Sequence, residues 1–143
     1  MNFTYAKVSG HWRGSFSGCG AVVASGFETG VTLPKDFGGL EEGATPEDLL
    51  LSALASCFLI TFGIVLEKNQ VPYEALRISA ELKTATDFPP SIKEVALQPE
   101  IVSDADPALL RRLSEAAEKM CLIAKAIDGN VQKSVNLIVR RIS

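Results

Sequence analysis

Histidine and cysteine are scarce in this chain, with one histidine and three cysteines among 143 residues. Cys19, Cys57 and Cys121 stand 38 and 64 positions apart. Zinc sites draw ligands from short spacings, so neither a metal nor any other cofactor is expected. The same three residues are too few and too scattered for a disulfide framework. The lone His11 sits beside Trp12 in a strand-like stretch and makes a poor catalytic base, which argues against a cysteine hydrolase. No phosphate-binding loop occurs: "SGCG" and "FGG" hold glycines without the Gly-Lys-Ser/Thr ending or the spaced glycines of a dinucleotide turn.

Positive charge is also lacking. Fourteen Lys and Arg against 17 Asp and Glu give a net charge of -3. Adjacent arginines occur only in "LLRRL" and "VRRIS", so no nucleic-acid partner is expected. The first twenty residues have neither the apolar core nor the cleavage site of a signal peptide. The expectation is a cytoplasmic protein with reduced thiols. No repeat or low-complexity tract interrupts the chain, whose length suits one domain over residues 1–143.

What the chain does have is one long apolar run. From Leu49 to Leu66 no charge appears, the lower limit for a transmembrane helix. Ser52, Ser56, Thr61 and Gly63 dilute the run and no positive-inside bias flanks it, so a buried helix is expected, with no membrane partner. Thr45 predicts its N-cap, Pro46 its first helical position, and Glu47 and Asp48 suit the positive end of the helix dipole. The end is expected at Lys68 or Asn69.

Before this helix, "FTYAKV", "GAVVAS" and "GVTLP" read as an antiparallel meander. After it, "LRISAELKT" alternates apolar and polar, and "SIKEVALQPEIV" follows across Pro89–Pro90 as the second arm of a hairpin. Pro99 there suggests an edge strand or a bulge. Asp106 and Pro107 open a second helix with apolar spacing through Leu109, Leu110, Leu113, Ala117, Met120 and Ala124, with Cys121 on that face. "NVQKSVNLIVRRI" reads as a last strand. The order predicts an α+β domain, and a helix so apolar predicts a homodimer in which two copies pack together.

Cys57 and Cys121 both lie on apolar helical faces. A thiolate can attack a peroxide, and a second thiol can condense with the resulting sulfenic acid. Two cysteines can equally be packing residues. On pattern alone both readings stand.

The stretch "GATPEDLLLSALASCF" resembles the first-cysteine signature of the OsmC/Ohr family, the osmotically inducible and organic hydroperoxide resistance proteins. "EKMCLIAKAIDGNV" is similar to the family's second-cysteine segment, and "HWRG" and "PKDFGG" also look like family features. The resemblance implies an OsmC-like α+β fold, antiparallel sheets around a long central helix, in an intertwined homodimer. It further implies a thiol peroxidase, with an organic hydroperoxide as substrate and an external dithiol, lipoyl-type or other, as reductant. By position, Cys57 matches the peroxidatic and Cys121 the resolving cysteine. Glu47 matches an acidic residue that orients an arginine, for which Arg13 is the candidate and Lys35 the rival. Because burial raises a thiol's pKa, some cation is expected to reach Cys57. Leu122 departs from the pattern, since many members have proline there. Cys19 has no counterpart and reads as a packing or turn residue. The rival reading is a module of the same fold that binds a small hydrophobic ligand, or is purely structural, without peroxidase activity.

Overall fold

The structure is a computed structural model that describes residues 1–40 and 42–142. The chain forms two compact units, Met1–Leu50 and Leu51–Ser143, and the long helix α1 (Pro46–Lys68) begins in the first and continues into the second.

In the N-terminal unit, β1 (Ser9–Arg13), β2 (Cys19–Val23) and β3 (Glu28–Val31) form an antiparallel meander in the order β1-β2-β3. The expected strand at "FTYAKV" does not form. β1 pairs with β2 only from Ser9 opposite Val23 onward, and past Val23 the chain turns, with the Ala24 N–H donating to the Phe27 carbonyl. A strand over residues 3–8 would overhang β2 with no ladder to join. Thr32 closes this unit: its hydroxyl donates to the Leu40 carbonyl at 2.8 Å and its N–H to Ala44 at 3.0 Å.

The start of α1 is a reciprocal cap. The Asp48 N–H donates to Thr45 Oγ1 and the Thr45 N–H to Asp48 Oδ2, each at 3.0 Å. Two of the main-chain donors that a helix start leaves unpaired or exposed are thereby satisfied. Leu54, Phe58, Phe62, Val65 and Leu66 recur at helical spacing and are buried. Burial on nearly all sides was the sequence expectation, yet within one chain only 28% of the most apolar 18-residue window is buried. By length and composition alone, the helix could cross a membrane.

In the C-terminal unit, β4 (Ala75–Ala85) and β5 (Ser91–Val102) form the expected hairpin, with a register shift at Lys83/Thr84. Helix α2 (Pro107–Met120) starts at Asp106, whose carboxylate accepts from the Ala108 N–H. The expected continuation to Ala124 is broken. Cys121 takes an extended conformation, φ -67° and ψ 115°, and a short helix α3 (Leu122–Ala126) follows. No glycine or proline marks this break, and Cys121 and Ala124 beside it are buried in the core.

The last strand is likewise two pieces, β6 (Gln132–Val135) and β7 (Ile138–Arg140), both parallel to β5. The sheet is therefore mixed, and α2 with α3 is the crossover that a parallel pair requires. The register is unchanged from β6 to β7, which puts Leu137 opposite Pro99 of β5; the Leu137 carbonyl, turned away from β5, accepts from the Arg111 guanidinium at 2.9 Å. Pro99 lies in the central strand and not at an edge. The Leu97 carbonyl faces Asn136, so by alternation the nitrogen of Pro99 points to the same side. There it lies opposite the gap between β6 and β7, and the ladder bond that a proline cannot donate is the reason the strand divides.

Candidate functional site

Cys57 sits midway along α1, one position before the buried Phe58, and so on the flank of the packed stripe. It is half-buried. Thr61, one turn later, lies on the same side, and its hydroxyl donates to the Cys57 sulfur. Cys121 is fully buried at 0% exposure, at the break between α2 and α3. The structure brings the two thiols into side-chain hydrogen-bond contact, and both are free.

The two sulfurs are not equivalent. Burial alone would push the Cys57 thiol up, but hydrogen bonds outweigh it and hold its pKa below the ordinary thiol value. They come from the Ile123 N–H, the Cys121 thiol, the Leu122 N–H and the Thr61 hydroxyl. For Cys121 burial wins. Its pKa is raised by desolvation and by the facing Cys57 sulfur, against lowering contacts from the Ala124 and Ile123 amides. Of the two, Cys57 is therefore the easier to ionise and Cys121 the harder. Cys57 is also the more exposed of the two and the one a reagent can reach.

Behind Cys121 the core is closed. Leu54, Phe58, Cys121, Ala124 and Lys133 line a void of about 10 Å³, room for one water at most. Lys133, from β6, donates to the Ala124 carbonyl at 2.9 Å and pairs with Asp128 at 2.6 Å.

The remaining candidates belong to the N-terminal unit. Glu47 is half-buried in the first turn of α1, and Arg13 is exposed at the end of β1, opposite Cys19 in the strand register. Cys19 is exposed, as is His11. Lys35 lies in a single 3-10 turn, Lys35–Phe37. An open apolar pocket of about 390 Å³ lies in this unit between Trp12, Phe16, Val31, Leu33 and Pro46.

The donors that face Cys57 within the C-terminal unit are neutral, and the candidates for the expected cation, Arg13 and Lys35, belong to the N-terminal unit. Thr61 could have been found from its four-residue spacing to Cys57. The amides of Leu122 and Ile123 could not, because every residue except proline carries one.

A family description, "OsmC-like protein", matches residues 39–136. The chain is 29% identical over 139 residues to the uncharacterized protein YmaD of Bacillus subtilis, covering 93% of each. Among solved structures it is similar to an OsmC-like protein from Mycoplasma pneumoniae, with TM-score 0.81, 18% identity, and 96% and 98% of the two chains covered. It is similar as well to the organic hydroperoxide resistance protein OhrB of Bacillus subtilis, with TM-score 0.73, 23% identity, and 94% and 98% covered. These likenesses establish the α+β, OsmC-like fold. With most of its length matched, the chain belongs to the OsmC/Ohr family, which includes organic hydroperoxide resistance proteins.

Proposed function

We propose that the protein is a cysteine-based peroxidase that reduces organic hydroperoxides, with residues 1–143 acting as one OsmC-like domain. The observation that carries this reading is the contact between a half-buried Cys57 with a depressed pKa and a buried Cys121 with a raised one. The Cys57 thiolate attacks the distal peroxide oxygen; the O–O bond breaks, the alkoxide takes a proton and leaves as alcohol, and Cys57 becomes a sulfenic acid. The Cys121 thiol then attacks that sulfur. An S–S bond forms, water leaves, and the two-electron oxidation is stored as a disulfide. An external dithiol, lipoyl-type or other, restores both thiols by exchange and is itself oxidised to a disulfide.

In this reading Glu47 orients a cation toward the peroxide, with Arg13 in that role and Lys35 the rival. A guanidinium fork can hold a carboxylate and a peroxide oxygen together, which an ammonium does less well. The protein works in the cytoplasm as a homodimer. Support for the dimer comes from α1, where Ile60 and Ile64 are 64% and 43% exposed within one chain on a helix without charge from Leu49 to Leu66.

The open apolar pocket of the N-terminal unit favours a second reading, the capture of a small hydrophobic ligand without turnover. One experiment separates the two. Reduced protein is treated with cumene hydroperoxide and examined by intact mass and peptide mapping. Loss of two hydrogens across Cys57 and Cys121 is expected; no change, or a bond through Cys19, overturns the peroxidase reading. Arg13→Gln and Glu47→Gln should each slow peroxide consumption by about a hundredfold, as loss of one aimed electrostatic group does.

A further inference from the structure

Disulfide closure asks more of Cys121 than of Cys57. A thiol attacks as its thiolate, yet Cys121 has 0% exposure, and burial holds its pKa above the ordinary thiol value. As its sulfur bonds to Cys57, its proton has to go to a base. Histidine, the usual base for a thiol, is absent from the C-terminal unit.

The side chains around Cys121 narrow the choice. The void of about 10 Å³ beside it is lined mostly by apolar groups. Among the described residues, its other polar neighbours are Glu118 of α2 and Lys133 and Ser134 of β6. Glu118 and Lys133 also line an open cleft of about 570 Å³, together with Glu115, Lys119, Lys125 and Asp128. These two side chains therefore stand between a wet cleft and the buried thiol. Lys133 is 19% exposed and donates to the Ala124 carbonyl at 2.9 Å and to Asp128 at 2.6 Å. An ammonium has no lone pair to receive a proton. The Ser134 hydroxyl is a poor base. Glu118 is left: it is half-buried in the last turn of α2, one turn before Cys121, whose N–H reaches back to the Glu118 carbonyl at 3.4 Å.

We propose that Glu118 is the proton acceptor for Cys121 in disulfide closure, working across the void beside the sulfur. The thiol proton moves to the carboxylate, directly or through the one water the void has room for, as the S–S bond forms. The group on Cys57 departs with its electron pair. Hydroxide leaving a sulfenic acid takes the proton back from Glu118 and departs as water. With a leaving group that needs no proton, Glu118 releases it to the water of the cleft. The titratable and charged groups facing Cys121 are Cys57 from α1, Glu118 from α2 and Lys133 from β6, with Asp128 behind the lysine; β5 presents Val95 and Leu97 there. The inference rests on Cys121 being the resolving thiol.

The test uses no peroxide. Cys19→Ser is the parent throughout, so that Cys57 is the accessible thiol, and reduced protein receives one equivalent of dithiodipyridine. Cys57 displaces one thiopyridone and keeps the other half as a mixed disulfide; Cys121 then displaces the second and closes the Cys57–Cys121 bond. Thiopyridone leaves without a proton, so the second release reports deprotonation of Cys121. Its rate is followed by absorbance across a pH series. Glu118→Gln, which keeps the shape and loses the base, should slow it about a hundredfold at neutral pH, the low end for a positioned general base. The rate in that variant should climb about tenfold per pH unit, because Cys121 now has to ionise unaided, whereas the parent climbs less steeply. Glu118→Asp should recover part of the rate with the slope of the parent.

Equal rates in the parent and Glu118→Gln overturn the proposal. A slower Glu118→Gln with the slope of the parent overturns it as well, being the mark of a side chain that only steadies α2. A parent that releases one thiopyridone and stops does the same, because Cys121 then attacks nothing. A chain that releases both with the slopes expected, yet consumes no cumene hydroperoxide, loses the peroxidase reading and keeps Glu118 as its proton acceptor.

Discussion

Removal of the Cys121 thiol tests the polarity of the sulfur pair. The Cys57 pKa is lowered and the Cys121 pKa raised, so in the ionised pair Cys121 is the donor and Cys57 the acceptor. Cys121→Ala deletes the donor and leaves a hole the size of a sulfur atom beside a void of about 10 Å³. A hydrogen bond to a charged acceptor contributes about 1.5 to 3 kcal/mol, and a thiol is a weak donor, so the lower figure applies. That corresponds to about one pH unit on the Cys57 titration. Water entering the enlarged hole would return part of it, so one unit is the ceiling. Cys121→Ser keeps an O–H donor but cannot form a disulfide. The assay is alkylation of Cys57 against pH, followed by dimedone trapping after one equivalent of cumene hydroperoxide. The alanine variant should titrate above the serine variant, and both should accumulate trapped Cys57 sulfenic acid. A Cys57 that titrates at or below its parent value in Cys121→Ala would refute the assignment of donor and acceptor.

Other outcomes follow from the packing and the charges. Phe58→Ala removes a fully buried ring that stacks against Phe62 at 5.6 Å; it should cost about 3 to 5 kcal/mol in denaturant unfolding. Glu100 accepts from Arg140 at 3.0 Å and from Arg77 at 3.1 Å, and its pKa is lowered, chiefly by the Arg140 hydrogen bond. A depressed carboxyl contributes stability that is complete above its unfolded pKa and is lost as pH falls through its folded value. In an NMR titration Arg140→Gln should move Glu100 up further than Arg77→Gln does. Introducing Ile60→Glu and Ile64→Glu together should halve the mass seen by sedimentation if α1 faces pair between copies, and an unchanged mass would exclude that pairing.

Much of the C-terminal unit was legible because its signals are local. The alternation of β4 and β5 and the Asp106 cap depend on neighbours in sequence, as does the Thr45–Pro46 start of α1 in the N-terminal unit, and the structure bears them out. What escaped depends on partners far along the chain. Residues 3–8 have strand-like composition but no strand to lie against. Cys121 breaks a helix with no breaker in sight, and the last strand divides opposite Pro99, a residue of another strand. At the site the same division holds. Side chains that can do sulfur chemistry announce themselves, whereas main-chain donors such as those of Leu122 and Ile123 have no signature in a list of residue types.

The crossover topology bears on the order of assembly. Cys57 is on α1, but Cys121 is on the connection between β5 and β6, and that connection closes only when β6 docks parallel to a β5 already occupied by β4. Parallel pairing across a long connection is slow relative to hairpin closure. We therefore expect the two sulfurs to meet late in refolding, making a rapid disulfide between them a chemical clock for completed topology. A Cys57–Cys121 bond captured in a burst phase, before β6 amides gain exchange protection, would contradict that sequence of events.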